Sequence, residues 1–159
     1  VKPALGQPAP DYSGLLVFPD GSTRSVGPDD FRGRWVALVF YPKDATPGCT
    51  TQACELRDGW ALLKGRLEVI GVSIDAESSH RKFIEKQSLP YPLLVDDSKR
   101  IVEAYGVWVE KSMYGKTYMG TERSTFLISP TGEIQAILEK VKPKEHFERL
   151  IKALEQAGG

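Results

Sequence analysis

The chain has 159 residues, 41% hydrophobic and 26% charged, the balance of a globular protein long enough to bury a substantial core. Lys plus Arg and Asp plus Glu number 21 each, so no global field favours nucleic acid or an anionic membrane surface. No stretch approaches the ~20 apolar residues of a membrane span, and two cysteines are too few for the scaffold of a small disulfide-rich secreted domain. Such sparse cysteine usage favours a reducing compartment, so a cytoplasmic setting is expected. With no repeat, linker or low-complexity tract, residues 1–159 read as one domain.

In chain order, Val1 to Pro10 lacks an apolar signal core and reads as an irregular arm. Its opening Val, where a Met would start synthesis, is compatible with an earlier segment having been removed. Leu15–Phe18 and Thr23–Val26 flank an Asp-Gly turn and predict a small hairpin. Trp35–Tyr41 is a continuous apolar run, suited to a strand covered on both faces. A helix is expected from about Pro47 to Lys64, with Thr46 as N-cap and Pro47 at the first helical position, where its missing N–H costs nothing.

Leu67–Ile74 reads as a second buried strand and Ser78–Gln87 as a surface helix with Phe83 and Ile84 inward. A short strand at Leu93–Val95 and a short helix at Lys99–Tyr105 follow. Within Val107–Met119, the run Lys111 to Lys116 predicts a loop or loose hairpin. Ser124–Ser129 and Ile134–Leu138 flank Pro130-Thr131-Gly132-Glu133, so an antiparallel pair is expected. From Pro143 and Lys144 a last helix carries Phe147, Leu150, Ile151 and Leu154 at helical spacing. Together these predict an α/β protein: a mixed central β-sheet with helices on both faces and an N-terminal β-hairpin.

Both cysteines fall in the first predicted helix. Cys49 would lie in its first turn, over unpaired backbone N–H groups and the positive end of the helix dipole, where a thiol is biased toward thiolate. An inert buried thiol is the alternative. The spacing to Cys54 is Cys-x4-Cys, not the Cys-x-x-Cys of dithiol oxidoreductases. Cys49, Cys54, His80 and His146 are four possible zinc ligands, but the histidines read as belonging to charged surface helices and lack metal-type spacing.

The segment Phe40-Tyr41-Pro42-Lys43-Asp44-Ala45-Thr46-Pro47-Gly48-Cys49-Thr50-Thr51-Gln52-Ala53-Cys54 resembles the active-site segment of peroxiredoxins, most closely the bacterioferritin comigratory protein, or peroxiredoxin Q, subgroup. Gly106-Val107-Trp108, Lys111 to Gly115 and Glu122 to Ile128 are similar to the same subgroup, and the likeness runs from Leu15 to the last helix. It implies a thioredoxin-like fold and thiol-dependent reduction of hydroperoxides. By the same resemblance Cys49 is the peroxidatic nucleophile. Thr46 orients the peroxide, Pro42 shields the pocket from water, and Arg123 brings a guanidinium to sulfur and peroxide oxygens. Cys54 is the resolving cysteine of an intramolecular disulfide, and thioredoxin or a similar dithiol is the reductant. No metal, haem or flavin is implied, and an internal resolving cysteine removes the need for a partner subunit, so a monomer is expected.

Blander roles exist for each position: a cap for Thr46, a strand terminator for Pro42, an ion-pair partner of Glu122 for Arg123, and support or a solvated helix face for Gln52, Arg57 and Asp58. A non-enzymatic redox sensor, or a disulfide reductase or chaperone-like module of the same fold, would need neither Thr46 nor Arg123. Two cysteines five residues apart on one helix have Cα atoms about 8.7 Å apart, beyond the ~7 Å reach of a disulfide. A helix through both is therefore expected in the reduced chain.

Overall fold

The computed structural model describes residues 1–159. Nine strands and four α-helices follow in the order β1 (Gly14–Val17), β2 (Thr23–Val26), β3 (Val36–Phe40), α1 (Pro47–Asp58), β4 (Glu68–Ser73), α2 (Glu77–Gln87), β5 (Leu93–Val95), α3 (Arg100–Ala104), β6 (Trp108–Met113), β7 (Lys116–Thr121), β8 (Ser124–Ile128), β9 (Ile134–Leu138) and α4 (His146–Gln156). No helix is long and apolar enough to cross a membrane.

Seven strands form one mixed sheet in the order β2-β1-β5-β4-β3-β8-β9. β3, β4 and β5 run parallel, because the intervening α1 and α2 make crossovers. The remaining pairings, including β3 with β8, are antiparallel. Alternation along β3 divides the core. Ala37, Val39 and Tyr41 join α1, α2 and α4 on one face, whereas Val36, Leu38 and Phe40 pack with α3 residues and Tyr12 on the other. Every β3 residue is buried, which accounts for its unbroken apolar run.

Three elements depart from expectation. α1 ends at Asp58 rather than near Lys64. The next residue, Gly59, caps the helix, and the Phe147 ring of α4 packs so close that a Cβ there would clash with it. Lys111 to Lys116, expected as a loop or loose hairpin, lie in a registered hairpin over residues 108–121 whose turn residues Tyr114 (φ 52°) and Gly115 (φ 76°) both lie in the left-handed region. That geometry matches strand twist in a two-residue loop. The N-terminal arm is not wholly irregular: the Gly6 and Ala9 N–H groups donate to Ile134 and Gly132, and the Ile134 N–H donates to Gln7.

Candidate active site

Sheet topology brings the chemistry together. α1 leaves the C-terminal end of β3, the end at which open α/β sheets present ligand sites. β8 runs the other way, and its register pairs Ser124 with Phe40, so Arg123 arrives beside the loop between β3 and α1. No local signal joins these segments: Arg123 lies 74 residues downstream of the cysteine it meets.

Thr46 (φ −75°, ψ 155°) holds the N-cap position, Pro47 follows at the first helical residue, and Cys49 lies in the first turn. The Thr46 carbonyl accepts the Thr50 N–H at 2.8 Å, but its side chain makes no cap bond. The hydroxyl instead donates to the Lys43 carbonyl at 2.8 Å. The expected side-chain cap is therefore absent, and Thr46 Oγ1 retains lone pairs free to accept another hydrogen bond.

Cys49 is 2% exposed, and Arg123 Nη1 stands 3.5 Å from its sulfur. The same nitrogen donates to Gln52 Oε1 at 2.5 Å. Gln52 is one turn beyond Cys49 and equally buried, and its Nε2 has no partner. Glu122 does not pair with Arg123: its carboxylate binds Lys2 Nζ at 3.0 Å and accepts from Ser124 Oγ at 2.6 Å. A second cation is near. Lys111 donates to the Thr121 carbonyl at 2.6 Å, and burial first, then the nearby Arg123, lowers its pKa.

Pro42 is half-buried between two residues fixed from below. The Tyr41 hydroxyl donates to Asp44 Oδ1 at 2.5 Å, and burial first, then the Asp44 charge, raises the tyrosine pKa well above its ordinary value. Asp44 Oδ2 also accepts Ser79 Oγ at 2.9 Å and stands 2.7 Å from His80 Nδ1, while its backbone N–H donates to Asp75 at 2.8 Å. Asp44 thereby ties the loop to α2 and to the connection between β4 and α2.

The two histidines correct the surface expectation, for both are fully buried. His80 bridges Asp44 and the Leu94 carbonyl, and His146 Nε2 meets Thr125 Oγ1 at 2.7 Å. Neither joins a cysteine. The one cluster with ligand atoms inside 4.8 Å of one another is Asp44, Asp75 and His80, and its carboxylates are already spent on protein donors.

Cys54 is half-buried on the same α1 as Cys49, and both thiols are free. Its Sγ lies 3.3 Å from Gln87 Oε1, and Arg57 Nη1 donates to the Gln87 backbone carbonyl at 2.7 Å. The expected reduced helix through both cysteines is present.

Residues 5–137 match the model of the AhpC/TSA family. The chain belongs to that family, the peroxiredoxins. Peroxiredoxin Bcp of Bacillus subtilis (strain 168) is 44% identical over 151 residues, with 94% of each chain covered. Peroxiredoxin Bcp of Escherichia coli (strain K12) is 40% identical over 152 residues, with 95% of each covered. Among solved structures, a mutant of Xylella fastidiosa PrxQ matches with a TM-score of 0.88 at 30% identity, covering 100% of this chain and 99% of that one. Xanthomonas campestris bacterioferritin comigratory protein matches at 0.80 and 34%, covering 91% and 92%. The family resemblance of residues 40–54 and its subgroup are thus borne out, as is the thioredoxin-like fold.

In this peroxiredoxin, sequence reasoning left Gln52 among supporting residues. Its spacing of three from Cys49 puts both on one helix face, and that was the available signal. Nothing local pointed to Asp44 as the anchor of the loop, because all its partners but Tyr41 come from α2 and the connection before it.

Proposed function

We propose that this peroxiredoxin is a thiol-dependent peroxidase acting on hydrogen peroxide and organic hydroperoxides, working as one domain and as a monomer. The observation that carries the reading is a guanidinium 3.5 Å from a buried cysteine sulfur in the first turn of a helix. Cys49 attacks the terminal peroxide oxygen as thiolate. The O–O bond breaks, water or alcohol leaves, and the sulfur becomes a sulfenic acid. Arg123 supplies positive charge where the leaving oxygen becomes negative, assisted by first-turn backbone N–H groups. Thr46 Oγ1, its own proton engaged by Lys43, accepts the peroxide O–H and aligns it. Pro42 limits water at the mouth.

Cys54 then condenses with the sulfenic acid, forming an intramolecular disulfide and releasing water. Thioredoxin or a similar dithiol returns the pair to thiols by exchange. A disulfide reductase would have no use for Arg123 at the sulfur, which favours the peroxidase. The test is peroxide consumption with a thioredoxin system. Cys49→Ser should abolish it. Cys54→Ser should keep one stoichiometric oxidation but lose most turnover, with the sulfenic acid drifting to sulfinic acid. Full turnover by Cys49→Ser overturns the peroxidase reading, and full turnover by Cys54→Ser removes the second cysteine from it.

A further inference from the structure

α1 is gripped twice, each time through residues three apart. Cys49 and Gln52 face Arg123, and Cys54 and Arg57 face Gln87. The first grip belongs to peroxide attack. The second holds the half of the helix that must leave its place for Cys54 to reach Cys49. Gln87 is suited to that task by its place at the end of α2. Ser88 takes the left-handed C-cap (φ 52°), and its N–H turns back to Glu85 and Ile84. The Gln87 carbonyl, among the last of the helix, is then served from outside by Arg57. Its side-chain amide oxygen meets the Cys54 thiol. Gln87, Cys54 and Arg57 are all only partly buried, so water can replace each bond as it breaks.

We propose that Gln87 is a positioning residue for the second step: it retains Cys54 and Arg57 in the helix and so sets how long the Cys49 sulfenic acid stays open to another peroxide. The proposal rests on Cys54 being the resolving cysteine. In the step it governs, the Cys54 sulfur bonds to the Cys49 sulfur as the S–OH bond breaks. The departing hydroxide takes the Cys54 proton, giving disulfide and water with no further reductant. In the competing step a second peroxide delivers an oxygen to the sulfenic sulfur, yielding sulfinic acid and water or alcohol. A tighter hold favours the second outcome.

The experiment mixes reduced protein with one equivalent of hydrogen peroxide, quenches with a thiol-alkylating reagent over time, and follows sulfenic acid and disulfide by mass spectrometry. Gln87→Leu keeps side-chain bulk and removes the acceptor. The ratio of disulfide-forming rate to first-oxidation rate should rise about three- to tenfold, the effect of one modest hydrogen bond. The peroxide excess needed for half-sulfination should rise in parallel. Arg57→Met, which opens the other half of the grip, should act in the same direction and serves if Gln87→Leu fails to fold. A wild-type ratio in either folded variant, or a lower one, overturns the proposal. Absence of any Cys49–Cys54 disulfide in the wild type overturns the resolving role itself, a distinct result that takes the Gln87 role with it.

Discussion

Arg123 Nη1 touches both the Cys49 sulfur and Gln52 Oε1, so one side chain is at once the electrostatic partner of the proposed nucleophile and a brace for its helix. Arg123→Met should slow single-turnover oxidation of Cys49 by about 10²–10³-fold, the usual loss of a preorganised donor. Thr46→Val should slow it at least about tenfold, with a stability cost limited to the hydrogen bond to the Lys43 carbonyl, about 0.5–1.5 kcal/mol, because there is no side-chain cap to lose. Thr46→Ser should retain most of the rate. Stopped-flow oxidation beside a denaturant melt checks all three, and equal rates in Thr46→Val and wild type would exclude the hydroxyl. His146 supplies a pH effect. Burial first, then Arg123 and Arg149, lowers its pKa to about 3, so it is neutral in the fold. Below the ordinary value near 6.5 the unfolded chain takes up a proton that the native state refuses until about pH 3, so stability falls as pH drops through that window. His146→Gln should lose less stability between pH 7 and pH 5 than wild type, by up to about 2 kcal/mol, in urea titrations at the two pH values. Equal losses would place the proton uptake elsewhere.

At the scale of elements, α1 carries the main consequence. Both cysteines lie within Pro47–Asp58, and an intact helix keeps their Cα atoms about 8.7 Å apart. Oxidation to the disulfide should therefore unwind the helix locally, and amide exchange across Thr50 to Arg57 should quicken on going from reduced to oxidised protein. Unchanged protection, with the disulfide confirmed by mass spectrometry, would refute the unwinding. Most elements were legible because their periodicity is strong. β3 reads as buried on both faces, the Asp-Gly turn marks β1 and β2, and the Phe147, Leu150 and Leu154 spacing marks α4. What escaped depends on distant contacts. At the end of α1 a ring from α4 leaves no room for a side chain on Gly59, and the registered β6–β7 hairpin takes left-handed φ at Tyr114, a residue not marked for it. At the site, Cys49, Thr46 and Arg123 were singled out through the family resemblance, and the structure brings Arg123 to the sulfur. The buried roles of His80, His146 and Gln52 were not, because polar residues on a charged helix give no sign of which partner waits beneath.

For the molecule as a whole, the site owes its position to an antiparallel neighbour set against a parallel strand: β8 begins where β3 ends, inside the seven-stranded sheet. Sheets of this kind have margins as well as middles. β9 stands at one margin, and its sequence Ile-Gln-Ala-Ile-Leu is uncharged, free of Pro and prone to extended pairing. The arm described above lies along the start of this strand through residues 6–9, while Lys2 anchors it to Glu122. The arm thus occupies backbone groups at the start of the strand that another chain could otherwise use as a template. Deleting residues 1–9 should make the protein self-associate as its concentration rises, seen by light scattering. Adding Gln135→Lys to the shortened chain, a charge at an exposed position of the bared strand, should suppress the association. If the shortened chain keeps one size at every concentration, the margin needs no guard.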